Sequence, residues 1–557
     1  MAIEFLRKHH RLLFYGTWLV VGMLQSFFTE LMDDEAYYWV YSRFPAWGYF
    51  DHPPMIALLI KGGYSLLQNE LGVRLGTLLL NTGTLLICER LLENKNPFLF
   101  YTIAASVAVI QLMSFVAVPD TPLIFFTAVF FLAYRNFTKK ESWPNVLVLA
   151  LSMAALMYSK YHGALVILLT VISNPKLILK PKAWAAVLLS ILLFAPHLWW
   201  QYQHQWPSIR YHLVERNVKP YYQSKHTWNF LYSQLLLPGP FAGLLLIPAA
   251  LLFHTRTSLE KALKYTLVGF YLFFFLSTFR GRVEANWTGP VLVPLLVLGH
   301  QYMLQRPQWQ HWMRRLVLPT LLLVLAARVL LLFDLVPAPY LQRNFHSWKT
   351  NTADIREATG NRPVVWPDSY QDASKYWFYT GQPALSLNTI KGRGNNFNYW
   401  PVEDSLLGKT VVWMNNGRFF KSNDSLTVKK ETLWYRTDTG FYSFLKAELK
   451  PTQKEYTIRQ HQPFFLQATL QLPASYHSFL EKQDSLQVRI TAAYFNAEGF
   501  VREETFPFQQ KWFGKKSRLL LPIPTSLPKG DYYFVLGLQC KNDPAVNNSG
   551  RIKLIIQ

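Results

Sequence analysis

The stretch VLVLALSMAALMYSKYHGALVILLTVIS, Val146–Ser173, decides how the chain is built. Apolar residues run on both sides of Ser159-Lys160-Tyr161-His162-Gly163, so the stretch reads as one long helix or as two short ones. Flanking charge chooses: Arg135, Lys139 and Lys140 precede it, and Lys176, Lys180 and Lys182 follow. Basic loops stay on the cytoplasmic side of a membrane, so both ends belong there. A hairpin with Lys160 at its outer tip meets that requirement.

Similar apolar runs lie on either side: Leu12–Phe28, Val73–Leu91, Phe98–Val118, Leu123–Phe137, Ala183–Trp200, Leu231–Phe253, Leu263–Phe279, Pro290–Leu304 and Leu316–Val336. Many approach the ~20 residues that cross ~30 Å of hydrocarbon. With the hairpin counted as two helices, about eleven crossings are expected. The first run is long and lacks a small-x-small cleavage pattern, as an uncleaved anchor does. On this count the same side also collects Arg7, Lys8, Arg11, Arg90, Lys95, Arg256, Lys261, Lys264, Arg306, Arg314 and Arg315. Much of the formal charge of +23 is thus a topology signal with an attraction to anionic membrane lipids, and no nucleic-acid partner is expected.

Composition agrees. Among 557 residues 51% are apolar and only 16% charged, which excludes an ordinary soluble assembly. A mean hydropathy of only +0.08 excludes a chain that is apolar throughout. Two unlike parts follow. Residues 1–336 form an all-α polytopic membrane domain. Beyond them come short alternating segments such as Thr410–Met414, Phe464–Leu472, Gln487–Tyr494 and Tyr532–Leu538. Asp354–Thr359 and Ser374–Gly381 look helical, so residues 337–430 are expected to be an extracytoplasmic α/β segment and 431–557 an extracytoplasmic β-sandwich. Cys88 and Cys540, one in each part, rule out a disulfide framework.

The candidate chemistry lies in the acidic groups outside the cytoplasmic loops. The densest group is Asp33-Asp34-Glu35-Ala36-Tyr37-Tyr38-Trp39, followed by Tyr49-Phe50-Asp51-His52-Pro53-Pro54. Consecutive carboxylates repel one another, so they point to a partner cation, a substrate or simple hydration; the plain reading is a helix cap at Asp33 or Asp34. Asp120, in Val118-Pro119-Asp120-Thr121-Pro122, also suits a helix start. Lys160 at the hairpin tip can snorkel to headgroups. The outer loop Trp200–Trp228 adds cations such as His204, Arg210, Arg216 and Lys219 beside Glu215, and Arg280-Gly281-Arg282-Val283-Glu284-Ala285-Asn286-Trp287 adds two arginines. Such cations suit a phosphate carried on a lipid, because charge-assisted hydrogen bonds strengthen where water is thin. For Arg328, inside the last apolar run, snorkelling is the favoured reading.

Taken together, Asp34-Glu35-Ala36-Tyr37-Tyr38-Trp39, Gly48-Tyr49-Phe50-Asp51-His52-Pro53-Pro54, Pro119-Asp120-Thr121-Pro122, Ser159-Lys160-Tyr161 and Glu284-Ala285-Asn286-Trp287 resemble the lipid-linked GT-C glycosyltransferases of family 39. That family includes protein O-mannosyltransferases and bacterial aminoarabinose transferases. The resemblance implies a GT-C fold and an inverting enzyme of a bacterial inner membrane. Such an enzyme moves a sugar from a polyprenyl-phosphate donor to a hydroxyl acceptor on protein, lipid A or a surface glycan, outside the cytoplasm. It places the catalytic acid on Asp34, with Glu35 beside it. His52 departs from the aminoarabinose transferases, which look to have Lys in that neighbourhood, so the sugar is left open.

The reaction itself needs a base near the attacking hydroxyl and positive donors near the departing phosphate. Asp34 is expected as base, and Glu35 and Asp120 complete the catalytic set, one or the other of them orienting the acceptor or His52. Asp33, Asp51, His52, Lys160, Tyr161, Arg280, Arg282, Glu284 and Asn286 are expected to bind substrate, with Lys160 and the two arginines on the phosphate. No cofactor is required; a divalent metal is compatible with the carboxylates but dispensable beside these cations. The competing reading is a transporter or flippase of lipid-linked sugars. Transporters place substrate charges near mid-membrane and show internal repeats, whereas here the polar motifs gather at one face.

Overall fold

The computed structural model describes residues 2–212, 222–428, 431–476, 486–508 and 516–557. Glu215, Arg216 and Lys219 of the outer loop lie outside them. The chain divides into two compact units, Met1–His346 and Ser347–Gln557.

The first unit is helical. Among the described residues, Glu70–Leu91, Pro181–Gln203 and Pro307–Leu332 are long and apolar enough to cross a membrane. The helix Lys8–Phe28 joins Asp33–Arg43 at a bend of 89°, a fourth span if the pair is one. Shorter apolar helices include Met55–Leu66, Pro97–Ser106, Trp143–Ser159, Gly163–Ser173 and Ala242–Leu252. The stretch Val146–Ser173 is two helices, as its flanking charge requires, with Lys160–His162 between them. A Cβ at Gly163 would lie 2.8 Å from the Leu156 carbonyl, so this tight break needs glycine.

Two runs expected to be continuous are broken. Phe98–Val118 divides into the helices Pro97–Ser106 and Ala108–Leu112, followed by a non-helical approach to Asp120. Leu231–Phe253 divides into Ser224–Leu236 and Ala242–Leu252. The breaks support each other: the Val109 amide donates to the Leu237 carbonyl at 3.2 Å. Gly239, at φ +105, passes so close to Ser106 that a Cβ would lie 2.4 Å from its carbonyl oxygen. Backbone groups freed by a helix break in an apolar bundle need partners, and each break supplies them to the other.

The second unit begins ten residues later than the sequence reading placed it. The helix Pro339–Phe345 stays with the first unit, where the Asn344 side chain accepts from the Asp33 amide at 3.5 Å. A five-stranded sheet follows in the order β2-β1-β3-β5-β4. Its strands are β1 (Val364–Pro367), β2 (Ala384–Leu387), β3 (Val411–Asn415), β4 (Asp424–Val428) and β5 (Glu431–Asp438). β2 and β3 flank β1 in parallel, and β5 joins antiparallel. A boundary at 430/431 would separate β5 from both strands it pairs with, so the α/β segment runs through Asp438. The helix Tyr370–Thr380 links β1 to β2, its start capped by Ser369 and its end turned by Gly381 at φ +76.

The remaining strands are β6 (Glu448–Pro451), β7 (Glu455–Ile458), β8 (Phe464–Gln471), β9 (Arg489–Phe495), β10 (Phe500–Pro507), β11 (Lys516–Ile523), β12 (Gly530–Gln539), β13 (Val546–Asn547) and β14 (Ile552–Ile556). They form sheets ordered β10-β9-β12-β14-β7 and β11-β8-β6, with β13 beside β12. Leu449, Leu466, Leu470 and Leu519 from one sheet share a core with Ile490, Phe534 and Leu554 from the other.

Glu403 is fully buried in this unit, accepting from the Leu445 amide at 2.8 Å and the Tyr476 hydroxyl at 2.7 Å, with Ser443 as a further partner. Burial raises its carboxyl to about 7, against these hydrogen bonds. The folded chain therefore keeps a proton that the unfolded chain loses near the ordinary glutamate value. The stability this group lends is complete below about pH 4.5 and is lost as pH climbs through about 7. Glu403→Gln, neutral at every pH, should melt progressively higher relative to the parent between about pH 5 and pH 8. A difference in melting midpoint that stays constant over that range would contradict this.

Candidate active site

The bend after Phe28 leaves helix-end carbonyls without intrahelical partners. Arg74 reaches them from the helix Glu70–Leu91. Its Nη1 donates to the Ser26 and Thr29 carbonyls at 2.9 and 2.7 Å, and its Nη2 to that of Glu30 at 2.9 Å. Its Nε and Nη2 also hold the two Glu35 carboxylate oxygens at 2.7 and 2.6 Å. Both side chains are 0% exposed. Glu35 further accepts from the Ala117 amide at 2.7 Å and the Met32 amide at 3.0 Å. Each Glu35 oxygen thus has two donors, and its function is to lock the helix Asp33–Arg43 in place. It was expected in the catalytic set; in this structure its oxygens accept from Arg74 and the Met32 and Ala117 amides.

Asp33 and Asp34 precede Glu35 on the same turn and are half-buried. Successive helical residues point about 100° apart, so fixing Glu35 inward also fixes the directions of Asp33 and Asp34. Asp33 Oδ2 lies 3.9 Å from Arg343 Nε.

Three residues beyond Ala117, Asp120 opens the helix Asp120–Lys139. Lys160 Nζ donates to its Oδ1 and Asn286 Nδ2 to its Oδ2, both at 2.8 Å. The Asp120 and Lys160 side chains are 2% and 8% exposed, so Lys160 points into the protein and does not snorkel. Side chains from three separate motifs meet here.

Tyr161 continues the network. Its hydroxyl bonds His197 Nε2 at 2.9 Å, and His197 Nδ1 bonds the Trp47 carbonyl at 2.7 Å. A carbonyl only accepts, so Nδ1 carries the proton and the Tyr161 hydroxyl donates to Nε2. Gln201 Nε2 donates to the Tyr161 oxygen at 3.0 Å and to Ser208 Oγ at 2.7 Å, and Ser208 donates to the Tyr49 carbonyl at 3.1 Å. Gly48 makes the approach possible, since a Cβ there would lie 2.5 Å from the Trp200 ring. Next to Tyr49, Asp51 is buried, and His52 Nε2 bonds the Tyr38 hydroxyl at 3.1 Å.

Arg280 and Arg282 are exposed, and Arg282 pairs with Glu284 at 3.0 Å. Asn286 of this motif enters the buried corner by its direct bond to Asp120. Arg328 does not snorkel: it is 7% exposed, and its Nη2 donates to the Gln111 carbonyl at 3.0 Å and to Ser114 Oγ at 3.3 Å. It thereby steadies the segment that leads to Ala117. A small apolar crevice of about 10 Å³, lined by Met113, Leu237, Tyr271 and Leu292, reaches Asn286. Among the described residues no group of three or more His, Cys, Asp or Glu side chains could hold a metal ion.

The sequence reading missed Arg74, His197 and Gln201. Arg74 carries the same signal that drew notice to Arg328, an arginine within an apolar run. His197 and Gln201 carry a weaker one, polar residues at i and i+4 on one helix face.

The helical unit thus gathers carboxylates and cations at one corner, on a scaffold that includes helices long and apolar enough to cross a membrane. Residues 51–200 match the family model described as dolichyl-phosphate-mannose-protein mannosyltransferase. This segment holds Asp51, His52, Asp120, Lys160 and Tyr161. The chain is 27% identical over 305 residues to the lipid A galacturonosyltransferase RgtD of Rhizobium johnstonii, a match over 51% of this chain and 63% of that protein. The chain thus spans less than two thirds of that relative's length. Its fold is similar to that of ArnT from Cupriavidus metallidurans in the apo state, with TM-score 0.56, 12% identity, and coverage of 77% of this chain and 98% of the other. The structure of that ArnT bound to undecaprenyl phosphate matches with TM-score 0.54 and 12% identity, over 76% of this chain and 97% of the other. These matches bear out the resemblance to family 39 GT-C glycosyltransferases, and the chain is an integral membrane protein.

Breaking a buried ion pair by removing one partner costs about 3–5 kcal/mol. Arg74→Met should lose about that much stability, measured by unfolding of the detergent-solubilised protein, and adding Glu35→Gln should restore part of it. A single variant as stable as the parent would show that the pair does not hold the bend.

Proposed function

We propose that the protein transfers a sugar from a polyprenyl-phosphate donor to a hydroxyl acceptor at the extracytoplasmic face of a bacterial inner membrane, inverting the anomeric carbon. One observation carries this reading. The first acidic loop, Asp120, Lys160-Tyr161 and Asn286 are joined by an unbroken chain of hydrogen bonds and short peptide links, and that chain ends at Asn286 against the apolar side chains of Met113, Leu237 and Leu292. A donor that is a charged phosphate on an isoprenoid tail needs this pairing of environments.

In the proposed reaction the acceptor oxygen attacks the anomeric carbon and gives its proton to Asp34. The bond from that carbon to the phosphate oxygen breaks, and its electron pair leaves with the polyprenyl phosphate. Lys160 has three N–H donors; one holds Asp120, and the others serve the departing phosphate. Asp120 acts through Lys160 and Asn286, and Glu35 acts through the turn that carries Asp34. Arg280 and Arg282, exposed at the rim, draw in the donor's phosphate, with Glu284 holding Arg282. Asp33, Asp51, His52 and Tyr161 line the acceptor side. Lipid A is the acceptor suggested by the Rhizobium relative, and a protein hydroxyl the one suggested by the family description.

The shorter apolar helices complete about eleven crossings in this reading, with the basic loops cytoplasmic. The C-terminal unit lies outside the cytoplasm, its last two sheets forming a β-sandwich.

Asp34→Asn should lower glycosyl transfer from polyprenyl-phosphate sugars by about 10²- to 10⁴-fold, the usual contribution of a general base, and leave the unfolding midpoint unchanged. Unaltered transfer would remove Asp34 from the mechanism. Movement of the lipid-linked sugar by the parent protein without transfer would favour transport instead.

A further inference from the structure

The α/β sheet of the second unit builds a site of its own. β1 has parallel neighbours on both sides, and the chain passes from β1 to β2 and then back across to β3. In open parallel sheets the loops at the carboxyl ends of the strands diverge at such a reversal and leave a crevice, which is where ligands bind. A cleft of about 250 Å³ opens there, lined by Asp368 after β1, Tyr370, Asn388 after β2, Lys391, Arg393 and, after β3, Arg418.

The walls are held in place by specific bonds. Asp368 sits at φ +54, a conformation that non-glycine residues rarely adopt and that collects at functional positions. Its carboxylate accepts from the Thr389 amide at 2.7 Å and the Thr389 hydroxyl at 2.6 Å. The loop that follows packs onto it so closely that a Cβ at Gly392 would lie 2.0 Å from Asp368 Oδ1. Glycine at 392 therefore lets Lys391 and Arg393 flank the carboxylate. Arg418 rides on a turn fixed by Asn415, whose Oδ1 accepts from the Gly417 and Phe419 amides at 2.8 and 3.1 Å. Lys391 is bridged to Glu503 at 2.9 Å, and the Arg393 guanidinium lies 5.0 Å from the centre of the Tyr370 ring.

Arg393 and Arg418 thus share one polar cleft with Asp368 and Asn388, beside the Lys391–Glu503 pair. Guanidinium groups suit an anion, because their planar donors make charge-assisted hydrogen bonds to carboxylate and phosphate oxygens. Fixed carboxylate and amide groups beside them suit hydroxyls, which both donate and accept.

We propose that this cleft binds an acidic sugar, a hexose bearing a phosphate or carboxylate, with its anion against Arg393 and Arg418 and its hydroxyls on Asp368 and Asn388. The inference rests on the cleft's own residues and is independent of the transferase reading. The ligand's chemistry is the same whether the sugar is free or heads a glycolipid.

Titration calorimetry on the full-length protein in detergent tests it, with glucose 1-phosphate, glucuronate, glucose and inorganic phosphate as probes. Glucose 1-phosphate or glucuronate should bind saturably, and at least about tenfold more tightly than glucose or inorganic phosphate, as befits a charge-assisted contact added to hydroxyl recognition. Arg418→Gln and Arg393→Gln, each on a loop, should each weaken that binding about tenfold and leave the melting midpoint unchanged. Competition by an acidic glycolipid in mixed micelles would support the site and assign its ligand to a lipid headgroup, and binding that such micelles fail to displace would support it with a soluble sugar. Glucose or inorganic phosphate binding as tightly as the acidic sugars, no binding by any probe, or arginine variants that bind as the parent does would overturn the proposal.

Discussion

Arg74 is the constraint on which the membrane unit depends. A guanidinium has five N–H donors, and here they serve the Ser26, Thr29 and Glu30 carbonyls and both oxygens of Glu35. An 89° bend in an apolar bundle exposes carbonyls where water cannot reach them, and their desolvation would otherwise oppose the bend. Arg74 supplies donors to those carbonyls, and Glu35 supplies the compensating charge. One buried pair thereby turns the chain, starts the next helix and, through the Ala117 amide, anchors the segment that ends at Asp120.

The same logic recurs in smaller form. The break near Val107 frees backbone groups that the Leu237–Gly239 turn and the Gln111 side chain take up, the latter donating to the Ala105 carbonyl at 2.7 Å. Arg328 donates to the carbonyl and hydroxyl that follow. Each irregularity is tied to a neighbour, so the loops between Ser114 and Asp120 and around Lys160 are fixed in advance of any substrate. Pre-organised donors are what the proposed stabilisation of a departing phosphate requires.

Much of this was legible from residue types. Carboxylate and cation motifs far apart in sequence were expected at one corner, and Asp120, Lys160 and Asn286 meet there. The division of Val146–Ser173 followed from flanking charge. Other features were hidden for physical reasons. A run of hydrophobic residues reads the same whether its helix is straight or broken, so the breaks near Val107 and Pro238-Gly239-Pro240 were averaged away, although the second carries a strong breaker signal. A carboxylate's role depends on what faces it. Glu35 and Asp34 are equivalent on the page, and only Arg74, 39 residues away, tells them apart. The placement of β5 depended on pairing with β3 and β4, which alternation within one strand does not encode.

The central claim is that these corners share one compartment, outside the cytoplasm. Single cysteines at 47 and 282, whose native side chains are well exposed, and at 140, in a basic loop, can be labelled with a membrane-impermeant maleimide in intact cells and in inverted vesicles. Native Cys88 and Cys540 are buried and give little background. Positions 47 and 282 should label only in intact cells and position 140 only in inverted vesicles. Labelling of 47 and 282 from opposite sides would contradict the account.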